Sequence, residues 1–283
     1  MEKNHSKISY TAIICARSLA ENTKIPYAKE LYHELKTKNL TRWNYYSIIF
    51  KLSRFLRGVK LIHSFLEARY LSISETLRKL GNPPVLELAS GLSPRGIYYP
   101  NLYIETDLKN MISIKKKLLK NLPKREKHIL MPLNILNRKS LFKIGKIYLK
   151  YKNKPIAIIN AGLWTYLTKE EQKIGRDNIR DFLKLYSPKG YWITPDFRPK
   201  SLQKNLALKI YRGSITKKTG RPSVRFTSDE EVSSFMNEAG LKLKIASNEN
   251  IIKNLNTKNK FNLSTEDIKR QTSGMKIYVV QLK

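Results

Sequence analysis

The chain is poor in the residues that build metal centres and disulfides. It has one cysteine, Cys15, and four histidines, and no Cys/His cluster has metal-ligand spacing, so no metal is expected. A lone cysteine excludes an internal disulfide and makes a reducing compartment the default. No run of about eighteen consecutive apolar residues is present to span a membrane, and the N-terminus lacks the apolar stretch of a signal peptide. The expected setting is the cytoplasm, away from any membrane. Both phosphate-cradling patterns, G-x-G-x-x-G and G-x-x-x-x-G-K-[ST], are also missing, which argues against a dinucleotide or a nucleoside triphosphate.

Acidic residues are scarce: 22 Asp and Glu stand against 55 Lys and Arg, a formal net charge of +33. Such a balance invites a nucleic-acid partner, because closely spaced cations release counterions from a phosphate backbone. Residues 1–80 nevertheless carry +9 and residues 81–283 carry +24, close to the same density, so no separate basic arm stands out. Lysine outnumbers arginine 39 to 16, whereas base reading and bidentate phosphate binding favour arginine. Nucleic acid is therefore a possible partner but not the favoured one. With 41% hydrophobic residues in 283, the chain has enough apolar material for a sizeable core.

The most informative stretch is Val85-Leu86-Glu87-Leu88-Ala89-Ser90-Gly91, an apolar run ending in a small-residue turn, followed by Leu102-Tyr103-Ile104-Glu105-Thr106-Asp107. A strand, a turn without bulky side chains and a second strand ending on a carboxylate form the arrangement by which a Rossmann-like sheet holds a nucleoside. Asp107 is the candidate ribose acceptor and Glu105 the fallback, since alternate side chains of a strand share a face. Ala89 stands where a dinucleotide site has its first glycine, so a nucleoside without phosphates, such as S-adenosylmethionine, suits the turn better. An ordinary strand-turn-helix corner has the same local pattern.

Residues 8–80 read as helices without strand alternation, a cap ahead of a second unit at 81–283. The pattern predicts strands near 84–89, 102–106, 127–131, 155–160 and 189–194, with helices near 110–121, 137–151, 168–186 and 228–239. Regular alternation implies an α/β fold, a mostly parallel doubly wound sheet covered on both faces. Capping boxes at Ser72-x-x-Glu75, Thr168-x-x-Glu171 and Ser228-x-x-Glu231 mark helix starts. Residues 43–66 form an apolar stripe at helical spacing, read as a helix packed on its own domain. Residues 241–247 and 275–282 form a candidate closing antiparallel pair around an Asn/Lys-rich insertion, 248–274, that has no assigned structure. Substrate loops are expected there and at 198–225.

Glu87-Leu88-Ala89-Ser90-Gly91-Leu92-Ser93-Pro94-Arg95-Gly96, then Tyr103-Ile104-Glu105-Thr106-Asp107-Leu108, then Gly162-Leu163-Trp164-Thr165-Tyr166-Leu167-Thr168-Lys169-Glu170-Glu171 resemble three blocks of one methyltransferase group. That group holds the leucine carboxyl methyltransferases and the bacterial polyketide-type O-methyltransferases, class I enzymes that use S-adenosylmethionine. Ser9-Tyr10-Thr11-Ala12 and Ile25-Pro26-Tyr27-Ala28 are similar to the opening of its bacterial members. The resemblance implies a Rossmann-like domain under an N-terminal helical cap, with S-adenosylmethionine as cofactor. It also implies cofactor contacts from Glu87, Ala89, Ser90, Gly91 and Asp107, and from Asn134 and Ile135 around the adenine. Arg69 would clamp the methionyl carboxylate, with Arg17 and Lys7 as further candidates. One departure stands out: Ala161 occupies the place of an acidic residue, with Asn160 before it as a partial substitute. Trp164 and Tyr166 are the candidates for shaping the acceptor pocket.

No histidine falls within these blocks, so no catalytic base is assigned. Methylation of an ionised carboxylate, or of a positioned hydroxyl, fits more easily than base-driven transfer. The expected activity is methyl transfer to oxygen on a small molecule or a protein. The alternatives are methylation of RNA, suggested by charge, and a catalytically impaired cofactor-binding scaffold, suggested by Ala161.

Overall fold

Short runs such as Val85-Leu86-Glu87-Leu88 and Ala157-Ile158-Ile159-Asn160 are buried at every position, as strands covered on both faces must be. The computed structural model describes residues 10–38, 56–151, 154–197, 226–246, 249–272 and 276–283. Its seven strands are β1 (Val85–Leu88), β2 (Tyr103–Asp107), β3 (His128–Pro132), β4 (Ala157–Asn160), β5 (Tyr191–Thr194), β6 (Leu241–Ala246) and β7 (Ile277–Leu282). They form one sheet of order β3-β2-β1-β4-β5-β7-β6. β1 to β5 are parallel, and β7 runs antiparallel between β5 and β6. All five predicted parallel strands and the closing antiparallel pair are present, and the sheet is Rossmann-like.

The helices are α1 (Tyr10–Asn22), α2 (Ala28–Thr37), α3 (Arg57–Lys79), α4 (Arg95–Tyr98), α5 (Lys109–Leu118), α6 (Arg138–Tyr148), α7 (Lys169–Tyr186), α8 (Asp229–Asn237), α9 (Glu249–Lys253), α10 (Asn256–Lys260) and α11 (Thr265–Thr272). At Thr168 both halves of the capping box form. At Ser228 only one half forms: Ser228 accepts from the Glu231 amide, while the Glu231 carboxylate turns to the Thr227 amide and hydroxyl. The Ser72 box starts no helix. α3 runs unbroken through it, because Val59, Ile62, Leu66, Tyr70, Ile73 and Leu77 bury one continuous stripe that outweighs a local cap signal. Glu75 instead holds Arg78 at 2.7 Å. The first part of the apolar stripe at 43–66, like Lys7 and the stretch 198–225, lies outside the described residues.

The insertion is helical. α9, α10 and α11 bury Ile252, Leu255, Leu263 and Ile268 against Ala68 of α3, so the C-terminal segment packs on the N-terminal cap. Glu67, fully buried in α3, fastens it: its carboxylate accepts from the amides of Asn256 and Thr257, each at 2.9 Å, and from the Thr257 hydroxyl at 2.6 Å. These are the free amides at the start of α10, where a carboxylate is well placed. Among the described residues, no helix is long and apolar enough to cross a membrane.

Where α1, α3 and α10 meet, the ring of His63 lies buried with Nδ1 2.7 Å from Ser18 Oγ and 3.2 Å from Asn22 Nδ2. Burial, then the charges of Lys260 and Arg17, lower its pKa from 6.5 to about 4. Between those values the unfolded chain binds a proton that the folded chain excludes, so stability falls as the pH drops through this window. The expected loss is up to about 3 kcal/mol by pH 4, absent from His63→Gln. Urea denaturation of both proteins across the window checks this; parallel pH profiles would refute it.

Candidate active site

The chain leaves β1 toward β2 and β3 on one side, then returns to place β4 on the other. The order therefore reverses between β1 and β4, and a ligand crevice lies beyond their carboxyl ends. Leu88 and Asn160 are side by side there, so the turns Ala89-Ser90-Gly91 and Ala161-Gly162 are neighbours. Ala89 and Gly91 both take left-handed backbone, φ 50° and 53°, and Gly162 has φ 90°. The first turn reverses sharply around Ser90. Its amide donates to Thr106 O at 2.9 Å, while its hydroxyl is buried with no hydrogen-bond partner among the described residues.

Asp107, at the tip of β2, ties this turn to the second strand. One carboxylate oxygen accepts from the Gly91 amide at 2.8 Å and the other from the Leu108 amide at 2.7 Å. Burial raises its pKa, against the pull of those two amides. Each oxygen keeps a lone pair for a further donor.

The cap roofs the crevice. A Cβ on Gly91 would stand 3.3 Å from Ala12 Cβ of α1, so the helix touches the turn where the chain has no side chain. Beside it Tyr166 donates to Thr11 Oγ1 at 3.1 Å, and burial raises the tyrosine pKa so that the hydroxyl stays protonated. Arg69 of α3 reaches the second turn. Its Nη1 lies 3.5 Å from where a Cβ on Gly162 would stand, and its Nη2 3.7 Å from Cys15 Sγ. Among the described residues no carboxylate pairs with Arg69, whereas Arg17 is held by Glu21 at 3.0 Å.

Other predicted site residues have different places. Glu87 is buried beneath the turn, where its oxygens accept from Arg95 Nη1 at 3.1 Å and Tyr103 Oη at 2.8 Å. It therefore supports the turn and does not line the crevice. Glu105 is excluded as a ribose acceptor because it is fully buried between Lys115 and His128. Burial alone would raise its pKa, but those two partners hold it below the usual carboxylate range. The pocket around it is tight: a Cβ on Gly96 would come within 2.3 Å of Glu105 Oε1.

Asn134 sits in the turn that follows β3, next to Asp107 across the strand ends, exposed, with its side-chain oxygen accepting from the Leu136 amide at 3.0 Å. Ile135 is buried, its carbonyl accepting from Asn178 of α7 at 2.8 Å. Asn160 is no substitute for an acid at position 161, since its amide is consumed by Thr194, Asp196 and Trp192. Trp164 belongs to the core, its ring tilted against Trp192 with centroids 4.9 Å apart, and so does not shape an acceptor pocket by itself. Ala161 is half-buried at the turn and carries no charge.

Asp196 was missed. It follows β5 and gathers the second turn, accepting from the amides of Gly162 at 2.6 Å, Leu163 at 2.9 Å and Trp164 at 3.1 Å, and from the side chain of Asn160. The rule that singled out Asp107, a carboxylate at the carboxyl end of a parallel strand, applies equally to Thr194-Pro195-Asp196.

No family model and no curated protein matches the chain. Solved structures do. A DUF574 family protein from Streptomyces avermitilis MA-4680 aligns over 99% of this chain and 100% of its own, with a TM-score of 0.60 at 12% identity. A putative O-methyltransferase from Nostoc punctiforme PCC 73102 aligns over 81% of this chain and 61% of its own, at TM-score 0.49 and 12% identity. Human N-acetylserotonin methyltransferase in complex with SAM aligns over 95% and 65%, at TM-score 0.47 and 9% identity. At such identities the likeness is one of fold.

Proposed function

We propose that the chain is an S-adenosylmethionine-dependent methyltransferase that acts on oxygen of a small molecule or protein. The carrying observation is Arg69, a guanidinium without an acidic partner among the described residues, set against Gly162 at the crevice. Such a group can bind a ligand carboxylate through two parallel hydrogen bonds. The first turn also fits a nucleoside without phosphates. Its Ser90 and Gly91 amides are spent on Thr106 and Asp107, leaving no cradle of free N–H groups for a pyrophosphate, while the Ser90 hydroxyl awaits a partner.

When bound, such a cofactor supplies a methyl group already activated on sulfur. Arg69 would hold its carboxylate end and Asp107 its sugar hydroxyls, while α1 excludes water from above. The turn after β4 offers no charge to the cofactor's amino group, so Arg69 carries more of that end's binding. Tyr166, its hydroxyl proton given to Thr11, serves as wall. Of the described histidines, His63 lies in the cap, His128 is bound to Glu105 beneath the turn and His33 is on α2. An acceptor that is already ionised, such as a carboxylate, needs none of them.

Incubating the protein and a cell extract with methyl-labelled S-adenosylmethionine tests the reading. Label is expected in the protein or small-molecule fraction as a base-labile ester or a stable ether. Cofactor binding without transfer to any fraction would leave the non-catalytic scaffold that Ala161 also suits.

A further inference from the structure

The excess charge, even between the parts before and after residue 80, is uneven on a finer scale. Residues 109–154 hold 15 Lys and Arg and a single acid, Glu126, so 46 residues carry +14 of the chain's +33. The fold sets the described ones, apart from the buried Lys115, on and around one edge of the sheet. β3 is the terminal strand of the sheet, with α5 on one face packing Met111 and Leu118 toward the cap, and α6 on the other packing Leu141, Ile144 and Tyr148 into the main core. Lys109, Lys116 and Lys120 follow one face of α5 and its exit, and Lys143, Lys146 and Lys150 one face of α6 and its exit. All six are exposed, and none has an acidic partner among the described residues.

We infer that this sheet edge, α5–β3–α6, is a docking surface for the phosphate backbone of a nucleic acid. The inference stands apart from the methyl-transfer reading. An excess of one charge on one part of the surface repels itself, which costs stability unless a polyanion neutralises it. The two arginines of the segment are engaged elsewhere, Arg125 with the carbonyls of Gly96 and Asn101 and Arg138 with Asp181. The cations left are lysines, compact point charges that bind phosphates without reading bases. A membrane surface is the poorer partner, because interfacial binding needs an apolar face, and Leu149 is the one large exposed hydrophobic of the segment among the described residues.

Fluorescence anisotropy with a short labelled single-stranded RNA and a duplex DNA of equal length tests this. With about five phosphates neutralised, affinity for the single strand should fall roughly 100-fold between 50 and 200 mM salt. Reversing Lys116, Lys120, Lys143 and Lys146 to Glu should abolish most binding, by roughly 50-fold or more at low salt. Reversing Lys242, Lys244, Lys253 and Lys269, exposed lysines on β6 and on the helices packed against α3, should change it by less than about threefold. Circular dichroism confirms that both variants fold. Equal losses in the two variants, an unchanged rim variant or flat salt dependence would each overturn the inference. So would rim-dependent co-sedimentation with phosphatidylserine vesicles in the absence of nucleic-acid binding.

Discussion

Arg95→Ala is expected to lower the unfolding free energy by about 3–5 kcal/mol, the cost of leaving a buried charge without its partner. Arg95 is only 2% exposed and ties three parts of the molecule together. It donates to Glu87 of β1 at 3.1 Å, to the Tyr70 carbonyl at 3.1 Å and to Ser74 Oγ at 3.1 Å, and its guanidinium lies 4.1 Å from the centre of the Tyr70 ring. Without it, Glu87 keeps only Tyr103 among the described residues. At roughly 2–4 °C per kcal/mol for a chain somewhat shorter than this one, the melting temperature should drop by about 10 °C.

Burial already pushes the Glu87 carboxyl up, and Arg95 opposes that push. In the variant the carboxyl should rise further and take up a proton, so the stability gap narrows as the pH is lowered. Arg95→Met combined with Glu87→Gln should recover much of the loss, since the pair is then replaced and not broken. Thermal denaturation at several pH values reads all three outcomes. A variant within about 1 kcal/mol of the parent, with a gap independent of pH, would remove Arg95 from this role. The residue also bears on the crevice, because its anchors Tyr70 and Ser74 stand on α3 next to and shortly after Arg69.

Cofactor affinity is where the second large effect is expected. A carboxylate held by a guanidinium is worth about 1.5–3 kcal/mol, so Arg69→Ala should weaken S-adenosylmethionine by roughly 10- to 150-fold. Asp107→Ala should cost at least as much, because it removes the proposed ribose acceptor and also frees the Gly91 and Leu108 amides that shape the turn. Asp107→Asn should fall between, retaining one acceptor while turning an NH2 toward one of those amides. The residues sit on separate elements without a shared partner, so the double variant should lose close to the product of the single losses.

How much of this was legible in the sequence differs by element. β1, β2, β4 and β5 declared themselves because strands buried on both faces read as short, mainly apolar runs, the half-buried edge strand β3 by its apolar Ile129-Leu130-Met131, and Thr168 because a capping box is a local device. The unbroken α3 was hidden, since what carries it past Ser72 is a stripe of contacts with α1 and α10 that no local window contains. The helices of 249–272 were hidden for the same reason: α9 and α10 are five residues each, too short to stand without α3, and their anchor Glu67 is nearly 190 residues away. At the site, the small-residue turns and Asp107 were readable from type and position. The fates of Glu87, Glu105 and Asn160 were not, because Arg95, Lys115, His128 and Asp196 reach them only after the chain folds back.

The central claim is that the crevice between β1 and β4 binds an adenosyl amino acid through Arg69 and Asp107. Calorimetric titration of the parent protein, Arg69→Ala, Asp107→Ala and the double variant with S-adenosylhomocysteine tests it most directly. One site per chain is expected in the parent, with affinity stepping down in each single variant and lost in the double. Binding of equal strength in all four proteins, or no heat of binding in a folded parent, would contradict it.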